Sequence, residues 1–258
     1  MKIMVIPDTQ VKPGISLEHL EWTGKYMVDK KPDVVVHLGD FADMWSLSSY
    51  DVGKKSFEGR RYLSDIEAAH NGMRLLLGPL WDYNNRAAKN HEKRYQPRRV
   101  MLGGNHEERI IKAVENDAKL DGVLSLNDLS YEEFGWEYHA FLRPVIIEGV
   151  AFCHYFPSGV LGRPVTTATA LLNKMHMSCV AGHLPGLQFA RSARADGCQL
   201  TGIIAGSFYQ HEEEYMAPIV NRQHWHGILM LHDVHDGDFD IMPVSINYLR
   251  RKYGNGGT

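Results

Sequence analysis

Over the first third of the chain, apolar residues alternate between continuous runs and helical spacing. Ile3–Ile6 is an unbroken apolar run closed by Pro7, the pattern of a strand buried on both faces. Leu17, Leu20, Gly24, Met27 and Val28 then recur at a 3.6-residue period. Ser16 is placed to cap that helix, Lys30 and Lys31 suit its C-terminal dipole, and Pro32 stops it. Residues 34–36 are all valine and predict a second strand. A strand–helix–strand of this size predicts a right-handed parallel crossover. Residues 44–62 mix Ser, Gly and charge and read as an irregular insertion. Helical spacing returns over 63–80, through Leu63, Ile66, Ala69, Met73, Leu76 and Leu77. Arg98–Leu102 predicts a third strand, with a helix after it through Ile110, Ile111 and Val114.

After about residue 136 the pattern changes. Residues 145–156 are apolar and β-branched, with Glu148-Gly149 as a tight turn. Residues 164–177 predict one more helix, and 178–182 a strand that opens onto His183. Asp196-Gly197 separates strand patterns at 188–194 and 199–205. Asp236-Gly237 separates patterns at 228–234 and 239–246. Both dipeptides are hairpin signals, so this half is expected to be mostly antiparallel. No linker, repeat or low-complexity stretch divides the chain. The expectation is one domain over 1–258, α/β, with two packed sheets and helices outside.

Composition narrows the function classes. With 28 Lys and Arg against 31 Asp and Glu, the net charge is −3, so any nucleic-acid contact has to come from a local basic patch. Cys153, Cys179 and Cys198 form no CxxC pair, which excludes a disulfide framework and a zinc–thiolate site. No apolar run approaches the ~18–20 residues of a membrane helix. Asp8 arrives too early for a signal peptide, and a reducing, cytoplasmic setting is expected.

The informative polar residues sit at strand ends. The first strand runs into Asp8-Thr9-Gln10, the second into Gly39-Asp40 with Asp43 three residues on, and the third into Gly104-Asn105-His106. Cys153-His154 and Gly182-His183 follow later apolar runs. Singly, each is an ordinary turn, helix cap or core histidine. Together they deliver Asp, Asn and His to one rim, where open α/β sheets bind ligands. An O/N donor set without thiolate suits a hard divalent cation.

These motifs resemble the calcineurin-like metallophosphoesterase pattern of D-x-H, GDxxD, GNH(D/E), a strand-terminal His and GHxH. The matches are Asp8-Thr9-Gln10, Gly39-Asp40-Phe41-Ala42-Asp43, Gly104-Asn105-His106-Glu107, His154 and Gly182-His183-Leu184-Pro185. The opening DTQ looks most like a phage-associated branch, which would put the protein in the host cytoplasm. The resemblance implies a four-layer α-β-β-α sandwich of two mixed sheets with flanking helices. It also implies two divalent metal ions, Mn²⁺ first, with Mg²⁺, Zn²⁺, Fe and Ni as alternatives. Asp40 would bridge them, Asn105, His154 and His183 would complete one site, and Asp8 would bind the other. His106 would act at the leaving oxygen of a phosphate ester, oriented by Asp43, while a metal-bridging hydroxide attacks. Gln10 and Pro185 stand where the family has His, which leaves the second site poor in ligands, with the Gln10 carbonyl as a weak replacement.

Substrate contacts are less defined. Lys54, Lys55, Arg60 and Arg61 in the insertion, against Asp51 and Glu58, could hold further phosphates or a nucleic-acid backbone. Trp45 and Tyr50 could stack a base. Arg109 lies one helical turn past His106; Arg191 and Arg194 lie on a strand of undetermined facing; Arg94, Arg98 and Arg99 should lie at the far end of the third strand. His211 is the spare candidate for the depleted metal, and His224, His226, His232 and His235 read as surface or packing residues. The leading expectation is hydrolysis of phosphomono- or phosphodiesters, possible substrates including nucleotides. A DNA or RNA nuclease and a non-catalytic scaffold are the competing readings.

Overall fold

A computed structural model of the protein describes residues 1–211 and 224–254. The apolar runs form β1 (Ile3–Ile6), β2 (Val34–His37) and β3 (Arg98–Leu102), parallel and adjacent as the crossover argument requires. Helix α1 (Glu18–Lys30) joins the first two, and α2 (Tyr62–Lys89) separates the second from the third along the chain. After α3 (Glu108–Asn116), β4 (Glu137–His139) extends the sheet beside β3. The last hairpin, β12 (Gly227–His235) and β13 (Asp238–Ser245), returns to this sheet and pairs antiparallel with β1. The strand order is β13-β12-β1-β2-β3-β4.

The second sheet contains β5 (Val145–Ile147), β6 (Val150–Cys153), β9 (Cys179–Ala181), β10 (Leu187–Ala193) and β11 (Gln199–Ala205), in the order β10-β11-β9-β6-β5. A small hairpin, β7 (Pro157–Ser158) and β8 (Arg163–Pro164), stands apart. Most strand pairs of the second half are antiparallel, as expected: β5–β6, β7–β8, β10–β11, β12–β13 and β12–β1. The exception is the centre of the second sheet, where β6, β9 and β11 are parallel and only the edge strands run against them. The turn signals are real: Glu148 and Gly149 adopt φ 46° and 78°, and Asp236 and Gly237 adopt φ 47° and 85°. Local turns report hairpins, whereas β6 reaches β9 by a crossover through α4 (Ala168–Met175).

Alternation along the strands sets the layers. Ile3 and Val5 of β1 pack with Val36, Val100, Phe152, Val180 and Ile203 between the two sheets. Met4 and Ile6 point the other way, onto Leu20, Met27, Met73 and Leu77 of α1 and α2. Ala151, Cys153 and Ala181 turn the outer face of the second sheet onto Leu171 and Leu172 of α4. Helix α5 (Ile246–Tyr253) packs beside α1. The result is the expected α-β-β-α sandwich of two mixed sheets. Each fully buried aliphatic side chain contributes about 1.5–3 kcal/mol.

Three helix boundaries differ from the sequence pattern. Ser16 does not cap α1; Leu17 occupies that position without a side-chain bond, and the Ser16 hydroxyl points to Glu18 instead. Helix α2 runs nine residues past residue 80, to Lys89, and Gly24 of α1 leaves room for Leu76 O and the Pro79 ring where the two helices meet. Helix α4 starts at Ala168, where Thr167 accepts from Ala170 N, and Arg163–Pro164 belongs to the small hairpin. Among the described residues no helix is long and apolar enough to cross a membrane.

Candidate metal centre and its surrounding side chains

Parallel pairing brings the carboxyl ends of β1, β2 and β3 to one edge of the first sheet. Two bonds tie the ends of β6 and β9 to that edge: His154 Nδ1 donates to Leu38 O at 3.0 Å, and His183 N donates to Asp8 Oδ1 at 3.1 Å. The loop after β1 zips along the loop after β2. Thr9 N and Gln10 N both donate to Asp40 O, at 3.1 and 2.9 Å, and Asp43 N donates to Val11 O at 2.8 Å. Gln10, Asp40 and His183 all adopt left-handed backbone, with φ of 43°, 51° and 67°. Each such residue costs about 1–3 kcal/mol, and such strain clusters at functional sites.

Asp40, His154 and His183 present ligand atoms within 4.8 Å of one another. His154 commits its Nδ1 proton to Leu38 O, so Nε2 faces inward, 3.4 Å from Asp40 Oδ2 and 2.9 Å from Asn105 Oδ1. That contact is satisfied when Nε2 carries a proton, and both atoms are donor types that a divalent cation accepts. Burial first, and then the charge of His154, pull His183 down to about 4, so it is a neutral, ligand-competent imidazole. Burial pushes Asp40 upward, but the His106 and His154 charges outweigh it and hold Asp40 below the usual carboxylate range. Asp8 is pushed up to about 7, mainly by burial and further by the Asp40 charge, against the opposing pull of His154. Gln10 Oε1 is buried with no hydrogen-bond partner. Two buried carboxylates, an amide oxygen beside an imidazole nitrogen, and an orphaned carbonyl fit divalent cations held by O and N donors.

His106 stands beside this group. Its Nδ1 donates to Asp43 Oδ1 at 2.8 Å, and its Nε2 lies 3.6 Å from Asp40 Oδ2. Burial pulls His106 down, but the Asp40 charge and the Asp43 bond outweigh it and raise it to about 9. Asp43 also receives Arg109 Nη1 at 3.1 Å and Lys12 Nζ at 3.1 Å. Burial alone would raise Asp43, and these three cations drive it well below the usual range. Arg109 therefore faces the site rather than solvent. Lys12 has no place in the sequence reading; the signal was its position four residues past Asp8, in the same rim loop. Glu107 is also missing there as an actor, although it stands inside the GNHE match and is buried.

Three of the insertion's basic residues are bonded within the insertion. Arg60 stacks over Trp45 at 4.4 Å and bonds Trp45 O and Asp51, at 2.9 and 2.8 Å. Lys54 pairs with Asp51, and Arg61 donates to Arg60 O. Lys55 and Tyr50 are exposed. No described hydrogen bond or ion pair links these four cations to Asp40, Asp43, His106, His154 or His183. Arg98 pairs with Glu137 at the far end of β3, and Arg191 and Arg194 make surface pairs with Asp238 and Asp196. His211 stacks on Tyr209 at 4.6 Å, and Tyr209 also meets His224 and His226, a group outside the Asp40–His154–His183 triad. Pro185 O accepts from Trp225 N at 3.0 Å.

The profile of the calcineurin-like phosphoesterase family matches residues 1–191, and the chain belongs to that family. No curated protein matches the chain. Among solved structures, the TT1561 protein of Thermus thermophilus is similar at 9% sequence identity and a TM-score of 0.40, over 94% of this chain and 98% of that one.

Proposed function

We propose that the protein hydrolyses phosphate esters with two divalent metal ions and with His106 as general acid. The observation that carries this reading is the Asp43–His106 pair. It places Nε2 on the edge of the Asp40–His154–His183 group, with Arg109 and Lys12 beside it. Asp40, Asn105, His154 and His183 would hold one ion, and Asp8, Asp40 and Gln10 the other, with fewer and weaker ligands. Bound ions would supply Lewis-acid stabilisation of the phosphoryl oxygens and an acidified nucleophilic water.

The remaining work falls to the chain. Arg109 and Lys12 present cations where phosphoryl oxygens gather. Asp43 fixes the His106 ring and its tautomer, leaving Nε2 to give its proton to the leaving oxygen. Asp40 is the largest charge that raises His106. Once that charge is shared with a cation, His106 moves back towards the neutral range where a general acid is most effective. A scaffold without chemistry has no use for a buried His–Asp–Arg constellation. The nuclease reading loses Arg60, whose guanidinium is committed to Trp45 and Asp51.

The test is H106N in Mn²⁺-loaded protein, with an aryl phosphate and a bis-aryl phosphodiester as substrates. Turnover should fall about 10²–10⁴-fold while Mn²⁺ content stays at two per chain. Loss of metal together with activity would make His106 a ligand. Turnover within threefold of wild type would remove the general acid from the mechanism.

A further inference from the structure

Glu107 is buried, yet it contributes no ligand atom to the Asp40–His154–His183 group. Its two oxygens receive four donors. Oε2 accepts from Asp40 N at 3.0 Å and Gly104 N at 2.9 Å. Oε1 accepts from Ala42 N at 3.1 Å and from the Tyr131 hydroxyl at 3.0 Å. A carboxylate offers about four lone-pair directions, so all are used. Three of the donors are backbone N–H groups, drawn from the separate loops that follow β2 and β3. An amide or a protonated acid would turn a hydrogen onto at least one of these donors.

The consequence falls on Asp40, whose φ of 51° few non-glycine residues adopt. Its N–H ends on Glu107, its carbonyl accepts from Thr9 N and Gln10 N, and its Oδ1 accepts from His106 N at 2.8 Å. Oδ2 is the atom left to face His154 Nε2 at 3.4 Å and His106 Nε2 at 3.6 Å.

The geometry points to Glu107 as a positioning residue. By clamping the backbones of Asp40, Ala42 and Gly104, it aims Asp40 Oδ2 into the centre and sets how tightly a divalent ion is held. This rests on Asp40 being a metal ligand. A purely structural Glu107 would alter the melting temperature and leave metal affinity alone.

Two variants separate these roles. E107Q keeps the side-chain volume but replaces one acceptor oxygen with an NH₂ group. L172A opens the core between α4 and the second sheet, away from both loops, and serves as a destabilised control. Chelator-stripped wild type and variants are titrated with Mn²⁺ by calorimetry, with folding checked by circular dichroism. E107Q should bind Mn²⁺ about 10–100-fold more weakly, the usual effect of losing a group that orients a ligand. L172A should bind as wild type does. If E107Q does not fold, E107D, whose shorter arm cannot span both loops, is read the same way. Unchanged affinity in the Glu107 variant, or equal weakening in L172A, overturns the positioning role. Wild-type protein that takes up no Mn²⁺ overturns the metal-ligand reading of Asp40, and this proposal with it.

Discussion

Gly104 is the point of closest approach between the two loops that build the centre, and G104A tests that approach directly. An added methyl would overlap the backbone nitrogen and Oδ1 of Asp40 and lie 2.8 Å from its Cγ. Comfortable carbon contacts start near 3.5 Å, so Asp40 has to retreat by about an ångström. It has little room to do so. The Asp40 and Gly104 N–H groups share Glu107 Oε2, and Asp40 O is held by Thr9 and Gln10. Overpacking of this kind costs about 1–3 kcal/mol. At about 2–4 °C per kcal/mol for a chain of this size, the melting temperature should fall by about 2–12 °C. A shift of about 1 Å in a positioned group should also cost about 10²-fold in turnover. Thermal melts in chelator measure the first effect, and Mn²⁺-supported turnover of an aryl phosphate measures the second. G78A is the control: its added carbon meets nothing within 4 Å, and within α2 it should be neutral or slightly stabilising. A G104A protein that melts and turns over within twofold of wild type would refute the close-approach argument.

Two further predictions concern groups away from the metal ligands. R60A should lose about 1–3 kcal/mol in urea unfolding, because Arg60 is 6% exposed and fills the bonding positions of Trp45 O and Asp51; an unchanged midpoint would return Arg60 to the candidate phosphate binders. His19 is pulled down to about 3, chiefly by burial, from an unfolded value near 6.5, so below pH 6.5 the unfolded chain gains a proton that the folded chain refuses. Wild type should therefore lose about 2 kcal/mol relative to H19N between pH 6.5 and 5 in chelator-treated protein, and parallel profiles would contradict the burial of a neutral His19.

The parallel β1, β2 and β3 of the first sheet are legible because they are short, largely apolar runs followed by polar residues at the rim. Ile3–Ile6 and Arg98–Leu102 appear in the structure with the bounds that the sequence pattern predicts. The second sheet is less so. Its Gly turns at 149 and 197 identify hairpins, but the parallel β6–β9 and β9–β11 pairings join residues far apart in sequence, and no local pattern encodes them. The same limit appears at the end of α2, which continues to Lys89 beyond the helical pattern that ends at residue 80. Propensity describes the chain alone, and a 28-residue helix buttressed by a neighbour is no longer alone.

At the site, donor types could be read because each follows its own strand, but which atoms face each other could not. Asp43 shows the difference. The family resemblance implies that it orients His106, yet nothing local says that Lys12 and Arg109 converge on the same carboxylate. With all three in place, the rim divides by charge. Asp8 and Asp40 lie buried with Gln10 Oε1 on one side, with no Lys or Arg bonded to either carboxylate among the described ion pairs. Three cations share one carboxylate on the other, where positive charge is in excess when His106 is protonated. An apolar pocket could not separate a metal ion from a phosphate, because both are equally unwelcome there. On the proposed reading, a site arranged in this way would draw cations to Asp8 and Asp40 and phosphoryl oxygens towards Lys12 and Arg109. It would orient the ester before any bond changes, with its leaving oxygen on the side of His106.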